Sequence, residues 1–194
     1  MRKLVVLASG SGSLLQALID AAAHKRWYEI AAVISDNSAA TALTRAEAAG
    51  IPALSLPVHG QSNMQWQQQL KETVLSYQPD LVVSAGFMRI IKSDLFAVVP
   101  TINAHPSLLP NFPGAHAVAD AIAAGATTTG ATVHYVDAGI DTGSIIAQRE
   151  VPILENDTET SLHERIKVVE RDQLVWVVVK LCQQSDLWVG IINE

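Results

Sequence analysis

Five short, almost wholly apolar runs, each closed by glycine, proline or a polar turn, leave this chain few folds to choose from. They span residues 3–8, 28–35, 53–56, 81–85 and 101–104. Strands that show no polar alternation are buried on both faces, which is the mark of a parallel sheet covered by helices. The stretches between them supply those helices. Leu14, Leu15, Leu18 and Ile19 share one side of a helix over 13–23 that Ser13 is expected to cap. An alanine-rich helix over 39–49 stops at Gly50 and Pro52, and a polar segment over 59–69 leads into a helix ending near Tyr77.

After 104 the pattern changes. A proline-rich turn and a short helix over 117–124 precede two β-rich runs, 130–136 and 144–151. The seven residues DAGIDTG between those runs are too few for a crossover helix, so the runs should pair antiparallel. Leu162, Ile166, Val169, Leu174, Val177, Val178 and Leu181 then keep helical spacing, in a long helix started by Asp157 or Thr158. Residues 187–192 read as a last strand. The fold expected is α/β, a Rossmann-like three-layer sandwich whose sheet is mostly parallel, with antiparallel strands in the C-terminal half. Residues 1–194 read as a single domain, nucleotide-binding-like over 1–100 and elaborated over 101–194.

Composition narrows the function. A net charge of −6 with no basic run speaks against nucleic acid as a partner, since neutralising phosphates takes clustered Lys and Arg. No apolar run approaches membrane-spanning length, and the N-terminal one is too short for a signal peptide, so a cytoplasmic protein acting on small molecules is expected. The one cysteine, Cys182, rules out an internal disulfide and reads as a core thiol. An exposed apolar strand at the C-terminus would be compatible with a homodimer.

The densest chemistry lies between 81 and 116. Gly86 ends the fourth run and is followed by Phe87, Met88 and Arg89. The fifth run delivers Asn103 and His105 just before Pro106, and Pro110, Pro113 and Gly114 stiffen the chain downstream. An amide and an imidazole two residues apart on a strand share one face, and ligands of open α/β sheets bind at the carboxyl ends of strands. Asp141, between the glycines of DAGIDTG, would orient an imidazole and keep it charged, while an amide could stabilise an oxyanion. The same three residues also suit plainer duties as a capping Asn, a core-edge His and a turn Asp. Arg89 either meets a carboxylate on a ligand or pairs with an acidic neighbour. Met88, Ile90 and Ile91 read as core or pocket wall.

A second site stands at SGSGS, where a strand passes into a helix and backbone N–H groups attract phosphate. Gly10 and Gly12 begin a dinucleotide fingerprint, with Asp36 at the end of the second strand. Leu15 stands where the third glycine belongs, however, and no Gly-Lys-Ser/Thr occurs after it, so the phosphate of a small ligand fits better. His105, His116 and His134 match no recognised metal spacing and no metal is expected; His134 should lie on a strand, and His24, His59 and His163 on the surface. A binding or sensor protein without turnover would share all the fold signals, so only the Asn–His–Asp set separates it from an enzyme.

Nearly the whole chain resembles the folate-dependent formyltransferases, and among them the phosphoribosylglycinamide formyltransferases of purine biosynthesis. The likeness rests on VVLASGSGSLLQALIDA, PDLVVSAGFMRII, INAHPSLLPNFPGAHAVADAI, GATVHYVDAGIDTGSIIAQ and LHERIKVVERDQLV. Methionyl-tRNA formyltransferase and formyltetrahydrofolate deformylase share the central motif but carry further domains. The resemblance implies transfer of the formyl group of 10-formyltetrahydrofolate to the amine of 5'-phosphoribosylglycinamide, with Asn103, His105 and Asp141 catalytic. It further implies that Gly12, Ser13 and Leu14 bind the ribonucleotide phosphate and that Lys167 and Glu170 contact the rest of that substrate. Met88, Arg89, Ile90, Ile91 and Asn103, with Asp137, Ala138, Gly139, Ile140 and Asp141, would enclose the folate. The chain departs from the family at Leu14, where Asn is common, and near Ser62 and Asn63, where an arginine for the folate tail would fall. If the glycine loop holds phosphate, a ribonucleotide stripped of it should bind more weakly; equal affinity in a titration of both forms would remove the assignment.

Overall fold

The computed structural model describes residues 1–24, 27–91 and 95–188. Its strands form one seven-stranded sheet in the order β3-β2-β1-β4-β5-β6-β7. The strands are β1 (Arg2–Leu7), β2 (Tyr28–Ser35), β3 (Ala53–Ser55), β4 (Leu81–Ser84), β5 (Thr101–His105), β6 (Thr128–Tyr135) and β7 (Ile145–Pro152). The first five pair in parallel, while β6 runs against both β5 and β7. The sheet is therefore mostly parallel with antiparallel pairing at its C-terminal edge, as expected. The chain winds outward from β1 in one direction to β3 and in the other to β5, so the strand order reverses between β1 and β4. That crevice is where ligands of doubly wound sheets bind.

Helices cover both faces. On one side α1 (Ser13–His24), α2 (Thr41–Ala48) and α6 (Glu159–Cys182) pack Leu15, Leu18, Leu174 and Val178 against Leu4, Val6, Val83 and Ile102. On the other, α3 (Asn63–Ser76) sets Trp66, Leu70 and Val74 against Val5, Leu7 and Val82. A smaller cluster joins Val118 of α5 (Ala117–Ala123) to Leu162 and Ile166 of α6 over Ala131 and Val151. Cys182 is buried among the core residues, and burial pushes its thiol up to about 12. Among the described residues no helix is long and apolar enough to cross a membrane.

Several local readings change. Ser13 is the first helical residue of α1 rather than its cap; Gly12 precedes it with φ of 70° and accepts the Gln16 N–H through its carbonyl at 2.9 Å. Much of the polar segment 59–69 is already α3, because Ser62 and Gln65 form a capping box and Trp66, Leu70 and Val74 fall at helical spacing. The long helix is capped by Thr158, not Asp157, whose carboxylate instead pairs with Arg165. The β4–β5 crossover carries one described helical turn, α4 (Leu95–Val98), where the sequence pattern shows none. Of the run 187–192, only Leu187 and Trp188 fall within the described residues and neither is in a strand; the rest lies outside them.

Trp66 is the largest fully buried side chain, and its indole N–H donates to the Leu56 carbonyl at 2.8 Å. Trp66→Ala should cost about 3–5 kcal/mol of unfolding free energy in a urea titration. A loss under about 1 kcal/mol would show that this face of the sheet repacks without it.

Candidate active site

The carboxyl ends of β1, β4 and β5, the turn after β5, the loop after β6, the start of α1 and the N-terminal half of α6 together wall one cavity of about 580 Å³. Every site residue anticipated from the sequence lines it except Ala138. Met88 and Ile90 form an exposed wall, while Ile91 is buried in the core.

At its centre, Asn103, His105 and Asp141 come together. Asn103 and His105 share a face of β5, as strand alternation requires. Asp141 arrives from the loop after β6 with φ of 54°, a left-handed conformation that Asp tolerates better than most residues. The loop folds tightly to deliver it. A Cβ on Gly143 would lie 1.8 Å from the Tyr135 carbonyl oxygen, so only glycine fits there. Asp137 ties the loop internally, accepting from the Gly139 N–H at 3.0 Å and the Thr142 hydroxyl at 2.7 Å.

Asp141 sits 3.4 Å from His105 Nδ1, 3.5 Å from His134 Nε2 and 3.4 Å from the Asn103 amide nitrogen, and it accepts the Gly114 N–H at 2.8 Å. Burial opposes its ionisation. The hydrogen bonds from His134 and Gly114 and the charges of His105 and His134 outweigh burial and hold the carboxyl below the usual carboxylate range. The other ring nitrogen of His105, Nε2, lies 2.9 Å from the Phe112 carbonyl oxygen. His105 therefore faces an acceptor at each nitrogen, and only a ring protonated at both satisfies them.

His134 is the residue that sequence reasoning missed. It stands directly opposite Asn103 in the β5–β6 register, its Nε2 3.2 Å from the Asn103 amide nitrogen and its Nδ1 2.8 Å from the Tyr135 carbonyl oxygen. Two apolar-flanked strands gave no sign that β6 pairs with β5 in this register. His163, expected on the surface, is half-buried and lines the cavity, as does His116. Among the described residues, no group of three or more His, Cys, Asp or Glu side chains is arranged to hold a metal ion.

The turn after β5 is held by polar side chains as well as by proline. Ser107 donates to the Asn111 carbonyl at 2.6 Å, and Thr132 of β6 donates to the Ser107 carbonyl at 2.6 Å. Gln148 of β7 donates to the Leu109 carbonyl at 2.8 Å.

The glycine loop lines the same cavity. A Cβ on Gly12 would fall 2.8 Å from the Ala42 Cα, so α2 packs directly against it. Arg45 of α2 braces the loop, donating to the Ser11 carbonyl at 2.8 Å and to Gln16 at 3.0 Å, a role the sequence did not reveal. The first-turn N–H groups of Ser13 and Leu14 have no intrahelical acceptor, although the Leu14 side chain is buried.

The question left open at Arg89 resolves toward an acidic neighbour. Arg89 Nε is 2.8 Å from Asp36, and its guanidinium lies 5.5 Å from the centre of the Trp66 ring. Asp36 also accepts from the Ser9 hydroxyl, which in turn accepts the Met88 N–H at 2.8 Å. Asp36 is thus part of the brace for the 86–91 loop. Gln67 of α3 completes the brace, donating to the Ile90 carbonyl at 2.8 Å.

Comparison with known proteins agrees with this geometry. The formyl transferase family model matches residues 2–178, so the chain belongs to that family. More particularly, it is 47% identical over 191 residues to phosphoribosylglycinamide formyltransferase of Mycobacterium tuberculosis, covering 97% of this chain and 88% of that one. It is 38% identical over 185 residues to the Bacillus subtilis protein of the same name, covering 93% and 95%. The crystal structure of glycinamide ribonucleotide transformylase 1 from Symbiobacterium toebii superposes with a TM-score of 0.92 at 37% identity, over 100% of this chain and 95% of that one.

On α6, Lys167 is engaged by Glu164 at 2.7 Å, whereas Glu170 is buried. Burial, only partly offset by Lys167 and Arg171, pushes the Glu170 carboxyl up to about 7. Its folded value exceeds its unfolded one, so its contribution to stability is complete below the ordinary glutamate range and is lost as pH rises through about 7. Glu170→Gln should therefore gain unfolding free energy over the wild type as pH rises from 5 to 8, by up to about 3 kcal/mol. Parallel stability curves for the two proteins would refute burial as the cause.

Proposed function

We propose that the chain transfers the formyl group of 10-formyltetrahydrofolate to the amine of 5'-phosphoribosylglycinamide, using Asn103, His105 and Asp141. The observation that carries this reading is the meeting of these three side chains in the same cavity as the glycine loop. The ribonucleotide phosphate lies on the backbone N–H groups of Gly12, Ser13 and Leu14 at the start of α1. Lys167 and Glu170 contact the rest of that substrate. The folate lies between the wall of Met88, Arg89, Ile90 and Ile91 and the loop of Asp137, Ala138, Gly139, Ile140 and Asp141.

In the reaction the amine nitrogen attacks the formyl carbon, and the carbonyl oxygen takes the negative charge. The Asn103 amide donates to that oxyanion. His105, held by Asp141, contributes positive charge; either ring nitrogen reaches the oxyanion only by exchanging its present acceptor. The nucleophile's surplus proton leaves through water beside Asp141, the bond from the formyl carbon to folate N10 breaks, and N10 takes up a proton. Holding both substrates in one cavity supplies much of the rate through orientation. The protein works on these small molecules in the cytoplasm, and residues 1–194 act as one domain, with the phosphate held in 1–100 and the chemistry in 101–194.

Absorbance-monitored loss of the formyl group from a 10-formylfolate should require the ribonucleotide. Formate release without it would replace transfer by deformylation. His105→Ala and Asp141→Asn should each lower turnover by about 10²-fold or more with the fold intact. Near-normal turnover in either variant would remove that residue from the mechanism.

A further inference from the structure

Ser84 breaks the apolar run of β4 at its last residue, where it is only 4% exposed. It stands beside Asn103 in the β4–β5 register, and its hydroxyl donates to Asn103 Oδ1 at 2.7 Å. On the far side, Asn103 Nδ2 is 3.2 Å from His134 Nε2 and 3.4 Å from Asp141 Oδ1. The Asp141 carboxylate can only accept, so the amide end that faces its Oδ1 at 3.4 Å is the nitrogen. The carboxylate thus sets the amide with its nitrogen toward Asp141 and the cavity, and the Ser84 hydroxyl donates to the oxygen at the other end.

That orientation matters because a carboxamide is nearly symmetric in shape but opposite in polarity at its two ends. Turned by half a rotation, it would point its oxygen at the forming oxyanion. Without the Ser84 hydroxyl, Oδ1 would be a poorly solvated acceptor lacking its donor, and the amide would be held less firmly in the productive place that the carboxylate selects. A hydroxyl donating to the amide oxygen also polarises the amide and strengthens its N–H donors.

We propose that Ser84 is a positioning residue for formyl transfer, holding the Asn103 amide with its N–H groups toward the reacting carbonyl. This rests on the reading of Asn103 as the oxyanion donor. Steady-state kinetics on Ser84→Ala, Ser84→Thr, Ser84→Val, Asn103→Ala and the Ser84→Ala/Asn103→Ala double variant test it. Ser84→Ala should lower kcat about tenfold, with the KM of both substrates within about twofold and the protein still folded at the assay temperature. Ser84→Thr, which keeps the hydroxyl, should exceed the similarly shaped Ser84→Val in kcat, and Ser84→Ala should add no loss to Asn103→Ala. Wild-type kcat in Ser84→Ala, equal kcat in the Thr and Val variants, or a full additional loss in the double variant would each overturn the proposal. If Asn103→Ala itself turned over normally, the oxyanion reading would fall; an impaired Asn103→Ala beside a normal Ser84→Ala would overturn the Ser84 role alone.

Discussion

The pairing of β5 with two neighbours of opposite sense is the constraint on which the rest of this structure depends. Parallel to β4 and antiparallel to β6, β5 lines up Ser84, Asn103 and His134 in one row across three strands. A slip of one residue would turn Asn103 and His105 to the other face of the sheet. The row is polar within an otherwise apolar sheet, and hydrogen bonds run along it from Ser84 through Asn103 and His134 to the Tyr135 carbonyl. Buried polar groups of this kind are tolerated when each has its partner, and their mutual demands then specify orientation as well as position.

Asp141 joins that row to the two loops beyond it. Its carboxylate takes up the Gly114 N–H from the turn after β5 and faces both histidines, so one ionised group aligns a turn, a loop and two rings. The tight glycine geometry around it and its own left-handed backbone are the cost of bringing a carboxylate to a site that no regular strand could reach. The loop at 86–91 is fixed by comparable means. Asp36 and Ser9, at the ends of β2 and β1, hold Arg89 and Met88, and Gln67 holds Ile90, so this wall of the cavity is anchored in the first half of the chain.

An acidic chain that handles an anionic ligand must do so locally. The glycine loop offers backbone N–H groups at a helix start, backed by Arg45, within a protein of net charge −6. Glu170 lies in the same cavity with a carboxyl whose ionisation burial resists, so charge there is sensitive to what binds beside it.

The run of continuous apolar strands and helical spacings determined the layered α/β sheet, because burial on both faces leaves a periodicity that can be read without neighbours. The glycine loop and the Asn–His pair were legible for the same reason: each is local, set by a few consecutive residues. Asp141 was visible as a candidate through its glycines, though not its distance from His105. Beyond the β6–β7 hairpin, the sequence could not show which strands lie side by side. His134 faces Asn103, Ser84 meets its amide, and Asp36 binds Arg89, all through contacts between residues 19 to 53 positions apart. Those choices belong to tertiary structure, since strand order and register arise from packing the whole sheet and leave no mark in the spacing of any single segment.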